Sequence, residues 1–497
     1  MTDLLLRFDA DDVEIFTEAS GDRNPQYCDP VYARRTFAGA CAVPGAFAVV
    51  AALAAVPAQR LRTVSQLAAR FAAPMFPGRA YRVSVSEQGD GTCALIVHEG
   101  STPVLHCDLL LGDGFEGAVT PGKRLAAVEP DSTKARSCGE SWNGGYGLPS
   151  PADLRTLADV LGAFSIPDAL LGALAWASWF TGMRVPGQDT IFSGLRVRVT
   201  DREDDGEPRF VASVTAADPR SGMVIVQADC HGVGRGVEIE LRSFRRRAVP
   251  PPDRASATSV LPASDRLAGQ QVLAVGGSRG VGAAIVSVLA SQGAGVWVTQ
   301  RAPGPVEALC DAFPDARIHP LLLDAGEHQQ VVTGLEALTE AGTRLDGLVL
   351  SAGPAVLPTS LHPDTVDGFR EFVDTSLTVA LRPLTVALPL LKEGGWIVLL
   401  SSGAVADVPE HYPQYYVAKS ALEALGRYCA VRQGVRVLVA RAPKMWTDLS
   451  NGPLGGRGTV PTAQVASAIA GWVLNQDPAN ASGVTVLSPQ DLAEWRP

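Results

Sequence analysis

Val275-Gly276-Gly277-Ser278-Arg279-Gly280-Val281-Gly282 follows the apolar run Gln271–Val275 and leads directly into a helical pattern beginning at Ala283. A turn between a strand and a helix needs residues without a Cβ if the chain is to reverse tightly and bring its backbone against a phosphate at the helix N-terminus. Gly276, Ser278, Arg279, Gly280, Val281 and Gly282 are therefore candidate nucleotide-binding residues, in the strand–turn–helix context that a lone glycine pattern lacks. Apolar runs then alternate with helical patterns: Gly295 to Thr299, Ile318 to Leu323, Gly347 to Leu350, Trp396 to Leu400 and Val435 to Ala440. Short β-branched runs separated by helices predict an α/β fold with a doubly wound parallel sheet over residues 266–497.

Upstream, Ala248 to Ser264 is rich in proline and small polar residues, which remove donors, fix φ and offer little to bury; it reads as a linker over 248–265. The first half has another rhythm. A helix from about Asp11 to Ser20 and an apolar helix from Gly45 to Val56 precede alternating strands at Gln66–Phe71, Tyr81–Glu87, Cys93–Glu99 and Val104–Leu111. A similar order recurs from Pro151, with an apolar helix from Asp168 to Thr181 and strands at Ile191–Thr200, Arg209–Ala216, Met223–His231 and Gly236–Phe244. The recurrence predicts two α+β copies, domains 1–130 and 148–247, joined by a Gly/Ser/Asn-rich segment near Asp131 to Gly147. One large α+β domain is the alternative.

Composition narrows the function classes. At 497 residues the chain is long enough for several domains, and a net charge of −10 without a basic stripe argues against nucleic acid as a partner. The N-terminus lacks a basic segment followed by an apolar core, and the most apolar runs, Ala46–Pro57 and Leu170–Phe180, fall short of a bilayer span; a cytoplasmic protein with no membrane partner is expected. The eight cysteines are scattered, with no Cys-x-x-Cys pair, so no metal site and no disulfide framework is expected. Lysine is scarce, five against 37 arginines, which makes Lys419 a rare residue type in a meaningful place.

That place is Tyr415-Tyr416-Val417-Ala418-Lys419, with Ser402 thirteen residues before Tyr415. A carbonyl that accepts hydride develops negative charge on oxygen and must receive a proton, but a free phenol near pKa 10 is a poor acid at neutral pH. Lys419, one helical turn after Tyr415 on the same face, supplies a cation that favours the phenolate. Ser402, closing the run Trp396–Leu400, supplies a donor to the same oxygen. Tyr416, only three residues before Lys419, is the less suitable phenol. Together with the upstream glycines, this set resembles the short-chain dehydrogenase/reductase family over about residues 266 to 490. The resemblance implies a Rossmann fold, catalytic roles for Ser402, Tyr415 and Lys419, a hold of Lys419 on the nicotinamide ribose, and Tyr415 among the cofactor-binding residues. It also assigns Asp324 to the adenine, and Ser351, Ala352, Gly353 and Pro443 to the dinucleotide. The second strand ends Val298-Thr299-Gln300-Arg301 without the carboxylate that would bind a ribose 2′-hydroxyl, so Arg279 and Arg301 point to NADPH. Two departures concern the proton path. Leu350-Ser351-Ala352-Gly353 stands where many members have Asn-Asn-Ala-Gly, and Ser376 stands where a catalytic Asn organises a relay water. A third is Pro443-Lys444 in place of Pro-Gly, ahead of Met445-Trp446-Thr447-Asp448, where a substrate lid would sit.

Ser20-Gly21-Asp22-Arg23-Asn24-Pro25-Gln26-Tyr27-Cys28-Asp29-Pro30 resembles the signature of MaoC-type hotdog hydratases and dehydratases. Asp22 matches the family Asp, while Tyr27 stands where the family has His and Ala42-Val43-Pro44-Gly45 where it has Val-His-Gly. Gly45 would still offer an N–H to a thioester carbonyl. The resemblance implies a double hotdog with an incomplete catalytic pair. His98 and His106 read as structural, and Asp168 as a first-turn helix acid. Joining the two resemblances gives the expected function: an NADPH-dependent reductase of β-ketoacyl thioesters, on acyl carrier protein or coenzyme A, in polyketide or fatty-acid-like chemistry. A bifunctional reductase and dehydratase is one alternative, and a largely non-catalytic acyl-binding component the other. Relatives are often dimers or tetramers, so a homo-oligomer fits.

Overall fold

The computed structural model describes residues 4–88, 91–115, 129–131, 136–146, 150–203, 209–231, 235–340, 342–453, 455–475 and 483–497. The chain divides into two compact units: Met1–Arg247 with the short segments Ser360–Thr365 and Gly452–Leu454, and the remainder from Ala248.

In the first unit, β1 (Leu4–Arg7), β2 (Val64–Phe71), β3 (Ala80–Gln88), β4 (Thr92–Glu99), β5 (Thr102–Leu111), β6 (Ser141–Gly144), β7 (Thr190–Glu203), β8 (Arg209–Asp218), β9 (Met223–His231) and β10 (Arg235–Arg245) form one sheet. Its order is β1-β3-β4-β5-β2-β7-β10-β9-β8-β6, with every neighbouring pair antiparallel. Adding five to each strand number of one half gives the other half read from the opposite rim. The halves meet at β2 and β7, where Leu67 lies opposite Val197. Alternate residues such as Leu95 and Val97, Leu105, Cys107 and Leu109, and Val237, Ile239 and Leu241 are buried, as a sheet covered on one face requires. The helices Gly45–Leu53 and Asp168–Met183 join them in one core; being apolar all round, they are buried except at Gly45 and Asp168.

The segment read as a Gly/Ser/Asn-rich connector contains β6. Its backbone pairs with β8, Trp142 opposite Ala212, so side-chain composition gave no signal. Residues 132–135 and 147–149 of that stretch lie outside the described residues.

The second unit carries β11 (Gln271–Val275), β12 (Gly295–Gln300), β13 (Arg317–Leu322), β14 (Leu345–Leu350), β15 (Leu391–Ser402), β16 (Arg436–Ala442) and β17 (Gly483–Leu487). The order is β13-β12-β11-β14-β15-β16-β17, parallel throughout. Both faces are covered. Val272, Ala274, Val398 and Ala440 face the helices Gly280–Ser291 and Thr462–Leu474, while Leu273, Val275, Ile397 and Leu399 face His328–Glu340, Val366–Ala387 and Pro413–Arg432. This is the doubly wound parallel sheet expected from the sequence, with β17 as an additional rim strand. The order reverses between β11 and β14, and ligands of such sheets bind at the strand carboxyl ends at that point.

The reading of 248–265 as an unburied linker is corrected. Arg254–Ala257 forms a helical turn whose first free N–H groups are capped by Asp253, which accepts from Ser256 N at 2.7 Å. Ala257 and Leu261 are buried in the same core as the helix Gly280–Ser291. Two well-spaced apolar side chains among the small residues suffice to dock the segment. Among the described residues, no helix is long and apolar enough to cross a membrane.

Candidate active site

The glycine turn after β11 has no room for side chains. Gly276 adopts φ 82°, and a Cβ there would stand 2.5 Å from the Ala352 nitrogen. At Gly282 a Cβ would lie 2.2 Å from the Gly276 carbonyl oxygen and 2.7 Å from Ser351 Oγ. Gly276 N donates to Thr299 Oγ1 at 3.1 Å, tying the turn to β12. The helix Gly280–Ser291 begins without a side-chain cap, so its first N–H groups are left for another acceptor. A close-packed turn leading to an uncapped helix N-terminus fits a dinucleotide pyrophosphate, with Ser278 in the turn and Val281 in the first helical turn.

The other expected nucleotide residues have definite partners. Ser351 Oγ donates to the Val275 carbonyl at 3.0 Å, as do the backbone N–H groups of Ser351 and Ala352, binding β14 to β11 just before Gly353. Asp324 accepts from Gly326 N at 2.8 Å, an Asx-type turn. At the end of β12, Gln300 donates to both oxygens of Glu307 at 2.7 and 2.9 Å, and Arg301 follows, exposed. Arg279 Nη1 lies 3.3 Å from Asp448 Oδ2. Pro443 follows β16, and Lys444 donates to the Arg457 carbonyl at 2.9 Å.

Ser402, Tyr415 and Lys419 come together. Ser402 is the last residue of β15, and its Oγ accepts from Ala404 N at 3.2 Å. Tyr415 and Lys419 lie one turn apart on the helix Pro413–Arg432, opened by its proline. Lys419 Nζ sits 5.7 Å from the Tyr415 ring centroid and donates to the Leu400 carbonyl at 2.8 Å. Burial pulls its ammonium down to about 8. Burial also raises the Tyr415 phenol, and a hydrogen bond with Ser402 works in the opposite direction. Burial sets the direction of the Tyr415 shift in this site. Phe372 meets the Tyr415 ring at 6.4 Å, and Ser376, one turn further along the same helix, is buried.

Sequence reasoning missed Glu423, one turn after Lys419. Its buried carboxylate accepts from Ser401 Oγ at 2.7 Å and from Arg441 Nε and Nη2 at 2.9 and 2.8 Å. Ser401 and Arg441 face each other on β15 and β16. This clamp fixes the strand end bearing Ser402 to the helix bearing Tyr415 and Lys419. The i, i+4, i+8 spacing of Tyr415, Lys419 and Glu423 was the available signal.

In the first unit, Asp22 is completely buried. Its carboxyl accepts from Ser178 Oγ at 2.6 Å and Asn24 N at 3.3 Å, and burial pushes it up to about 7. A Cβ at Gly182 would stand 2.2 Å from Asp22 Oδ1, so a glycine in the helix Asp168–Met183 admits the acid. Tyr27 is buried too, its phenol raised by burial and then by the Asp22 charge. Asn24 Nδ2 donates to the Gly182 carbonyl at 2.7 Å, tying the two halves together. At Gly45 a Cβ would meet the Phe71 ring at 2.9 Å. Asp168 pairs with Arg155, and His106, half-buried, is held below its ordinary range by desolvation and Arg70.

The profile of a family described as enoyl-(acyl carrier protein) reductase matches residues 275–492. L-fucose dehydrogenase of Mus musculus is 30% identical over 191 residues, 37% of this chain and 68% of that protein. The Bos taurus enzyme of the same name is 29% identical over 188 residues, 37% of this chain and 69% of its own. Levodione reductase of Leifsonia aquatica is 26% identical over 193 residues, 37% of this chain and 72% of that one. Among solved structures, a short-chain dehydrogenase from Burkholderia cenocepacia in complex with NADP aligns over 45% of this chain and 98% of its own, at 25% identity and a TM-score of 0.41.

Two consequences are measurable. Glu423→Gln leaves Arg441 without its anion and is expected to cost about 2–3 kcal/mol in denaturant unfolding, toward the low end because Arg441 keeps an exposed edge. The Glu423 carboxyl is held below its ordinary range, so the clamp stabilises above that range and is lost as pH falls through the lower folded value. For Asp22 the sign is opposite. Its folded value of about 7 lies above the unfolded one, so its contribution is full below about pH 4 and is lost as pH rises to 7. Urea unfolding should show a fall of about 3 kcal/mol between pH 4.5 and 7.5 that Asp22→Asn flattens; an equal slope in both proteins would refute the assignment.

Proposed function

Because the C-terminal part of this chain belongs to the short-chain dehydrogenase/reductase family, we propose that it is an NADPH-dependent ketoreductase of β-ketoacyl thioesters, carried on acyl carrier protein or coenzyme A. The first unit, in this reading, is a double hotdog that binds the acyl chain. The observation that carries the proposal is the meeting of Ser402, Tyr415 and Lys419 at the carboxyl end of β15, two strands from the glycine turn after β11.

The bound nicotinamide supplies the hydride. Tyr415, whose phenol is raised by burial, keeps its proton at neutral pH and gives it to the carbonyl oxygen as that oxygen becomes an alkoxide. Ser402 donates to the same oxygen and stabilises its charge. Lys419, anchored to the Leu400 carbonyl, places a cation beside the phenolate left behind. Ser376 takes the place of the relay asparagine in returning a proton to that side. The residues that end β12, Val298 to Gln300, and Arg301 after them include no carboxylate, which together with Arg279 in the glycine turn favours a 2′-phosphate and hence NADPH.

Support for an acyl thioester comes from the mirrored antiparallel sheet with one apolar buried helix in each half, and from the carrier-protein enzyme named by the matching family profile. The Asp22 carboxyl, near neutrality beside Tyr27, favours a second reading in which the first unit also removes water from the β-hydroxy product.

The test incubates the full chain with NADPH and a panel of β-ketoacyl thioesters, and with L-fucose and NADP⁺, following nicotinamide absorbance and product mass. Thioester-dependent NADPH oxidation is expected, falling by about 10³-fold in Tyr415→Phe. An unchanged rate in that variant overturns the site assignment, and turnover of L-fucose alone overturns the substrate class. Dehydrated product that disappears in Asp22→Ala selects the second reading.

A further inference from the structure

Arg279 is the arginine best placed in sequence to read a 2′-phosphate, and it already has an anion. Its guanidinium meets the Asp448 carboxylate at 3.3 Å, with the two side chains 36% and 23% exposed, a partly solvated pair whose strength is modest. The backbone of Arg279 is extended and immediately precedes the uncapped helix Gly280–Ser291. Asp448 is equally well fixed. It opens the short turn Asp448–Ser450, in which Thr447 N donates to Ser450 Oγ at 3.0 Å and Ser450 Oγ donates back to the Met445 carbonyl. Trp446 Nε1 donates to Asn451 Oδ1 at 3.1 Å, and Met445 bridges to Val460. The turn lies against the glycine turn: a Cβ at Gly280 would stand 3.5 Å from Thr447 Cγ2.

We propose that Asp448 is a specificity-determining residue, an internal rival for the 2′-phosphate that holds Arg279 and lowers the affinity for the phosphorylated dinucleotide relative to the unphosphorylated one. The inference rests on the assignment of a dinucleotide to this turn. Two anions share one guanidinium, so each weakens the hold of the other. NADPH has to draw Arg279 away from Asp448, and the held turn Met445–Asn451 loses its ion pair with the glycine turn when it does. NADH makes no such demand. The preference for NADPH is therefore smaller than Arg279 alone would give, and it is tunable at a residue that touches no reacting atom.

The experiment measures the dissociation constants of NADPH and NADH by nicotinamide fluorescence for the full chain and for Asp448→Asn, Arg279→Gln and the double variant. Asp448→Asn is expected to tighten NADPH by about five- to tenfold and NADH by less than twofold, a difference that disappears in the double variant. Equal changes for both nucleotides, or weaker NADPH binding in Asp448→Asn, overturn the proposal. If the wild type binds neither nucleotide, the dinucleotide assignment falls and this inference with it. If it binds NADPH and NADH but Asp448→Asn changes neither, only the role of Asp448 falls. Circular dichroism of each variant separates loss of binding from loss of fold.

Discussion

A Cβ atom at Gly282 would stand 2.2 Å from the carbonyl oxygen of Gly276, and that exclusion organises the second unit. With no side chain at either position, the helix Gly280–Ser291 starts close against β11, and its free N–H groups open at the point where the strand order reverses. Ser351 then closes the neighbouring gap by donating to Val275, which fixes β14 against β11. In this chain serine does with a hydroxyl what is needed to hold two strand ends together. So tight a turn is held from outside, by Thr299, which accepts from Gly276 N, and by Asp448, which pairs with Arg279.

A different constraint governs the first unit. Asn24 and Asp22 reach across to the helix Asp168–Met183, one through Gly182 and the other through Ser178. A buried carboxyl resists ionisation, so this junction is strongest when Asp22 carries its proton. The same desolvation acts on Tyr415 and Lys419 in the second unit. It leaves the phenol protonated and pulls the amine down, so in the resting site the proton stays on Tyr415 until a carbonyl oxygen takes it.

What the sequence made legible followed from locality. Tyr415 and Lys419 share a helix face by spacing alone, and the glycines announce their turn because no other residue tolerates it. The period-two runs from Cys93 and Val237 located their strands. The Glu423–Arg441–Ser401 clamp was hidden because its members are separated by tens of residues and joined only by the pairing of β15 with β16. Asp448 was named within Met445–Asp448, where a lid would sit, but its pairing with Arg279, 169 residues away, was hidden. β6 and β17 were missed because a short strand pairs through its backbone and needs little from its side chains. The segment from Ala248 looked featureless because most of it is, yet two buried side chains, Ala257 and Leu261, dock it.

The mirrored sheet of the first unit has one further effect. Its halves are joined through β2 and β7, so the longest hydrogen-bonding edges of each are consumed at the seam. Among the described residues, the strands left at the rims, β1 and β6, are four residues each. Short rims present few unpaired backbone groups to a passing strand, so this duplication protects a ten-stranded sheet from adding an eleventh from another molecule.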